Sequence, residues 1–152
     1  YFVSAFTGLG VLYWKPDAKA IFTGLSREST KSHVARAVLE AQAYQTLDLM
    51  AAMEADSGHT PALIRADGGL VNNEFVCQFL ADMLDKPVEV PKIQEATAWG
   101  AACLAGLQAG VFNGVEDISD LWQKDRRYDP AMDAEKRAAL YTGWQDSLKL
   151  LL

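Results

Sequence analysis

Arg65-Ala66-Asp67-Gly68-Gly69-Leu70-Val71-Asn72-Asn73, running on into Glu74-Phe75-Val76-Cys77-Gln78-Phe79-Leu80-Ala81-Asp82-Met83-Leu84-Asp85, decides how the rest of the chain is read. The apolar run Ala62, Leu63, Ile64 stops at Asp67, two glycines follow, and an amphipathic helix begins after two asparagines. Paired glycines let a backbone turn sharply and let a ligand approach main-chain atoms that any Cβ would shield. Between a strand and a helix, that arrangement commonly makes a phosphate or nucleotide site. The other reading is a tight turn with an Asn helix cap. The company the motif keeps decides between them.

Outward from this stretch, strand-like and helical segments alternate, which implies an α/β layer architecture. The chain opens on an apolar run, Tyr1 to Phe6, followed by a loop from Thr7 to Pro16 with glycines and the aromatic pair Tyr13-Trp14. Ala20 to Leu25 predicts a short strand. Val34, Val38, Ala41, Tyr44, Leu47 and Met50 recur at three- and four-residue steps and predict a helix over 31–56, stopped by Gly58. Lys86 to Pro91 alternates like a short edge strand bounded by prolines. Residues 94–109 have helical period and are rich in Ala and Gly, so another helix, a sheet or a ligand can come close to them. Trp122 to Arg127 is a polar stretch, and a final amphipathic helix is expected from Ala134 to Leu151.

The 152 residues fit one domain with a sizeable core. Half are apolar and 22% are charged, as in ordinary globular proteins. A net charge of −6 without any basic cluster argues against a nucleic-acid surface. The apolar stretches are too short to span a membrane. Cys77 and Cys103 sit in helical patterns and read as reduced core residues of a cytoplasmic protein. The chain begins at Tyr1, not at a Met, and directly in an apolar run, so it is expected to be a piece of a longer protein.

From Ala20 to Glu40 the spacing is specific. Ala20 is followed by Phe22, then Gly24-Leu25, and after seven residues come His33-Val34 and Ala37-Val38-Leu39-Glu40. This resembles the second signature of the FGGY family of carbohydrate kinases. Ala5-Phe6-Thr7-Gly8-Leu9-Gly10, Tyr13-Trp14, Ala43-Tyr44-Gln45-Thr46, Asp67-Gly68-Gly69 and Thr97-Ala98-Trp99-Gly100-Ala101-Ala102 are similar to the glycerol kinase branch. Pentulose kinases of the family tend to carry a third glycine where this chain has Asp67. Departures from the branch at Leu12, Lys15, Lys19, Ala20 and Glu28 all fall outside the Gly-Gly turn.

The resemblance implies part of a ribonuclease H-like, actin-like ATPase lobe, a mixed sheet flanked by helices. Residues 1–152 would be the later part of the C-terminal, nucleotide-binding lobe, with the N-terminal substrate lobe and its general base absent. It also implies ATP and Mg2+ as cofactors and transfer of phosphate to glycerol, giving glycerol 3-phosphate, by a full-length cytoplasmic parent. A homo-oligomer is expected, with no nucleic-acid or membrane partner. The alternatives are a kinase for another polyol or pentulose, a non-catalytic ATP-binding module, and a scaffold without a ligand.

On this reading Gly68, Gly69 and Asn73 are the nucleotide-binding residues, with glycine main chain against base and ribose and the Asn73 amide meeting the ligand. Asn72 is then the expected helix cap, and Asp67 is expected to bond the glycine amides. No catalytic or metal-binding residue is assigned. Arg36 and Glu40 are spaced for an i,i+4 ion pair, and His33 for a polar contact at a helix start. Tyr13 and Trp14 read as core or lobe-packing aromatics.

Overall fold

A computed structural model describes residues 1–10 and 12–152; Val11, in the predicted glycine-rich loop, lies outside the described residues. The predicted long helix is α1, Lys31–Ser57. It spans about 40 Å at 1.5 Å per residue. At its start the His33 Nδ1 accepts the Thr30 N–H at 3.1 Å, the expected polar contact. At its end Gly58 takes φ 66°, a left-handed stop suited to glycine.

β1 (Phe2–Val3) pairs antiparallel with β2 (Ile21–Phe22) and lies against α1. β3 (Ile64–Arg65) leads through the glycines into a 3-10 turn, Gly69–Asn72, and then α2 (Glu74–Leu84). β4 (Val88–Pro91), α3 (Ala96–Gln108), α4 (Val115–Asp120), β5 (Lys124–Tyr128) and α5 (Ala134–Lys149) complete the order. The second sheet is mixed, β3-β4-β5, with β3 parallel and β5 antiparallel to β4.

Two expectations change here. β4 is the central strand of its sheet and not an edge. The polar stretch Trp122–Arg127 supplies most of β5. One cause explains both. Glu89 is buried, and its carboxylate takes Lys124 Nζ at 3.3 Å and Arg127 Nη1 at 3.2 Å from the neighbouring strand. Alternating polarity thus marks ion pairs between strands instead of a face in water. Pro91 sits at a register shift, where the ladder is already irregular and a missing N–H costs little.

The main core gathers Val3 of β1, Ala5 just after it, and Ala43, Tyr44, Phe79, Met83, Trp144 and Leu148 from α1, α2 and α5. Trp144 stacks on Tyr44 with ring centroids 5.8 Å apart, and Phe79 meets Tyr44 edge-on at 5.6 Å. Beside this core the buried Asp48 of α1 accepts hydrogen bonds from Tyr13 Oη at 2.5 Å and from Tyr141 Oη. That carboxylate ties the glycine-rich loop and α5 to α1. Burial, then the bond to Asp48, pushes the Tyr141 hydroxyl up to about 12. The same causes raise Tyr13.

Tyr13 therefore packs against the core, whereas Trp14, at φ 49°, is 75% exposed and takes no part in it. α3 also departs from a closely packed helix: Cys103 is its one buried residue and Leu104 is 70% exposed. Close packing is seen near its end, where a Cβ on Gly106 would meet the Phe112 ring at 2.6 Å. α4 had no counterpart in the sequence reading.

Candidate functional site

β3 and β4 run parallel and both end on the same side of the sheet, where the Gly-Gly turn and the start of α3 follow them. Ligands in α/β folds sit at the carboxyl ends of such strands. The two glycines do different work. Gly68 has φ 88° and ψ 179°, a region almost closed to residues with a Cβ. Gly69 lies outside positive φ, and a Cβ built on it would meet nothing within 4 Å. So Gly68 is required by the chain's own path, whereas Gly69 keeps open space above the backbone.

Asn73 caps α2. Its Oδ1 accepts from Phe75 N at 3.0 Å and Val76 N at 3.4 Å, which replaces Asn72 as the expected cap. The physical reason is the 3-10 turn: Asn72 is its last residue, and extended geometry suited to a cap (φ −91°, ψ 107°) is reached only at Asn73. Among the described residues the Asn73 Nδ2 has no partner, so its amide can still donate to a ligand. Asp67 does not bond the glycine amides; Gly68 N donates instead to the Gln94 carbonyl at 3.3 Å, across the strand ends.

Beneath the turn lies a second small core of Val71, Cys77 and Val90, flanked by Ala66 and Tyr128. The Val71 carbonyl accepts from Cys77 Sγ at 3.3 Å and from Arg126 Nη2 at 3.2 Å. Burial pushes the Cys77 thiol up, which keeps its proton in place for that bond. Arg126 lay in the stretch read only as polar; an Arg among charged neighbours carries no signal that it reaches a turn far back in sequence. Beside the turn opens a cleft of about 430 Å³ lined by Arg65, Asp67, Lys92, Ala96, Trp99 and Trp122. The Arg65 guanidinium lies 3.9 Å from the Trp122 ring centre.

The remaining singled-out residues fall elsewhere. Arg36 and Glu40 form the expected ion pair at 2.6 Å, and Glu40 also accepts from Tyr44 Oη at 3.2 Å. Cys77 and Cys103 are both buried free thiols. No helix among the described residues is long and apolar enough to cross a membrane.

A mixed sheet flanked by helices, with a glycine turn at the ends of its parallel strands, defines part of a ribonuclease H-like, actin-like ATPase lobe. The C-terminal domain of the FGGY family of carbohydrate kinases matches residues 1–109, and the chain belongs to that family. It is 57% identical over 152 residues to a glycerol kinase of Nitrosomonas eutropha, covering 100% of this chain and 30% of that protein. A crystal structure of Plasmodium falciparum glycerol kinase with ADP superposes with a TM-score of 0.86 at 33% identity, over 99% of this chain and 30% of that one. A xylulose kinase from Rhodospirillum rubrum superposes with a TM-score of 0.77 at 29% identity, over 99% and 30%. The chain thus spans 30% of the length of the relatives it matches.

Proposed function

We propose that this chain is the later part of the nucleotide-binding lobe of an enzyme that transfers the γ-phosphoryl of ATP to a hydroxyl of glycerol. The carrying observation is the 57% identity to a glycerol kinase, sustained across all 152 residues.

Phosphoryl transfer depends on positioning and charge stabilisation more than on covalent chemistry. In this reading Gly69 lets adenosine lie against the backbone, Gly68 sets the turn, and the Asn73 Nδ2 donates to the nucleotide. The open space at Gly69 and the unpartnered Nδ2 fit such a ligand. Mg2+ would neutralise the phosphates; no residue of this chain is assigned to it. The carboxylate that accepts the glycerol proton belongs to the substrate lobe, outside residues 1–152. The parent is taken to be a cytoplasmic homo-oligomer, which sedimentation and cell fractionation test.

A coupled ADP-release assay of the full-length protein with glycerol, xylulose, ribulose and gluconate tests the proposal. Glycerol should give the highest kcat/KM. Preference for another acceptor would overturn the glycerol assignment and leave family membership standing. Purified chain 1–152 should transfer no phosphate to glycerol.

A further inference from the structure

The glycine pair gives the Gly68–Asn73 turn freedom that must be removed from outside if a ligand is to find it in one shape. The anchor is Val71, in the middle of the 3-10 turn. Its side chain is 5% exposed in the small core, and its carbonyl is held by two side chains. The Cys77 thiol is a weak donor. The Arg126 guanidinium, a charged donor at 3.2 Å, is the stronger of the two. Arg126 is itself fixed in two places: Nε donates to Asp125 Oδ2 at 3.2 Å and Nη1 to Tyr128 Oη at 3.3 Å. Its neighbours Lys124 and Arg127 are committed to Glu89, so in β5 it is Arg126 that reaches the turn.

We propose that Arg126 is a positioning residue for the nucleotide, pinning the Val71 carbonyl so that Gly69 and Asn73 are held in the geometry that receives adenosine. The proposal rests on the reading of the turn as the nucleotide site. It makes β5, a strand far from the glycines in sequence, part of the ATP-binding apparatus. Arg126 touches no ligand; it acts through Val71. Losing it should therefore weaken ATP binding without changing the chemical step or the acceptor.

The test is steady-state kinetics of the full-length enzyme carrying Arg126→Ala, Arg126→Lys or Gly69→Val. Arg126→Ala should raise KM for ATP about fivefold, with kcat and KM for glycerol changed by less than about twofold. Arg126→Lys, which keeps one charged donor, should recover part of the loss. An unchanged KM for ATP in Arg126→Ala, or an equal fall in activity toward both substrates, would overturn the proposal. If Gly69→Val raises KM for ATP and Arg126→Ala does not, the positioning role falls alone; if neither does, the nucleotide reading of the turn falls with it. Should Arg126→Ala fail to fold, Tyr128→Phe loosens the guanidinium more gently. It should give a smaller rise confined to KM for ATP, and no rise there would overturn the proposal.

Discussion

The core around Tyr44 and Trp144 and the turn from Gly68 to Asn73 are built on opposite plans. In the core, the Phe79 ring of α2 and the Trp144 ring of α5 each lie within 6 Å of the Tyr44 ring of α1, and Trp144 is 1% exposed. At the turn, a Cβ on either glycine would meet nothing within 4 Å. The first region is closed by its own side chains; the second is held from below, by Val71 and its partners, and left open above. The contrast separates residues that make the fold from residues that keep a surface available. Substitutions in the two regions should therefore fail in different measurements.

Trp144→Ala in the full-length protein should cost about 3–5 kcal/mol of stability in denaturant unfolding, because a ring removed from a packed core leaves a cavity. KM for ATP of the folded fraction should hardly change. A selective rise in KM for ATP would join the two regions that the structure separates.

Gly69→Val should do the reverse. The melting temperature should stay near that of the parent, since Gly69 is not at positive φ and its Cβ direction is empty. KM for ATP should rise about tenfold, equivalent to about 1.4 kcal/mol of binding lost to the branched side chain. Gly68→Ala makes the contrast finer. At φ 88° it should lower the melting temperature as well, because the backbone itself is strained.

Asn73 belongs to both plans, and two substitutions divide its roles. Asn73→Asp keeps an oxygen cap on α2 and loses the amide donor. It should retain stability while raising KM for ATP about fivefold, the worth of about 1 kcal/mol. Asn73→Ala should lower both stability and ATP binding. Equal ATP kinetics for Asn73→Asp and the parent would confine Asn73 to capping.

The smallest effect expected is a pH dependence on the closed side. The Tyr141 hydroxyl is raised from 10.0 to about 12 in the folded chain. Its contribution is fully present below the unfolded value and is lost as pH rises from about 10 through about 12. Tyr141→Phe should flatten part of the fall in stability over that interval, measured by unfolding at stepped alkaline pH. An identical alkaline profile would show that the bond to Asp48 carries no linkage.

How far these regions could be read from residues alone follows from the range of their interactions. α1, the β3-turn-α2 unit and α5 rest on local period, a glycine stop and turn residues, so their expected bounds lie close to the observed ones. The site candidates came from the same stretch, with the signature around Ala20 to Glu40 supplying the context. What stayed hidden depends on partners distant in sequence. The run around Glu89 read as an edge strand until Lys124 and Arg127 paired with it, and Arg126 gained meaning only on reaching Val71. The cap moved from Asn72 to Asn73 because a 3-10 turn, invisible to helical period, occupies the intervening residues. Of the two readings of Trp14, its exposure excludes the core one.

The most direct trial of the nucleotide reading is photolabelling of the full-length protein with 8-azido-ATP, followed by peptide mapping. Trypsin cuts after Arg65 and, because Pro87 protects Lys86, next after Lys92, so the turn is released within one peptide, Ala66 to Lys92. That peptide should carry label that excess ATP removes and excess glycerol does not. Labelling that leaves residues 66–92 unmodified, or that ATP fails to displace, would contradict the placement of adenosine on the Gly68–Asn73 turn.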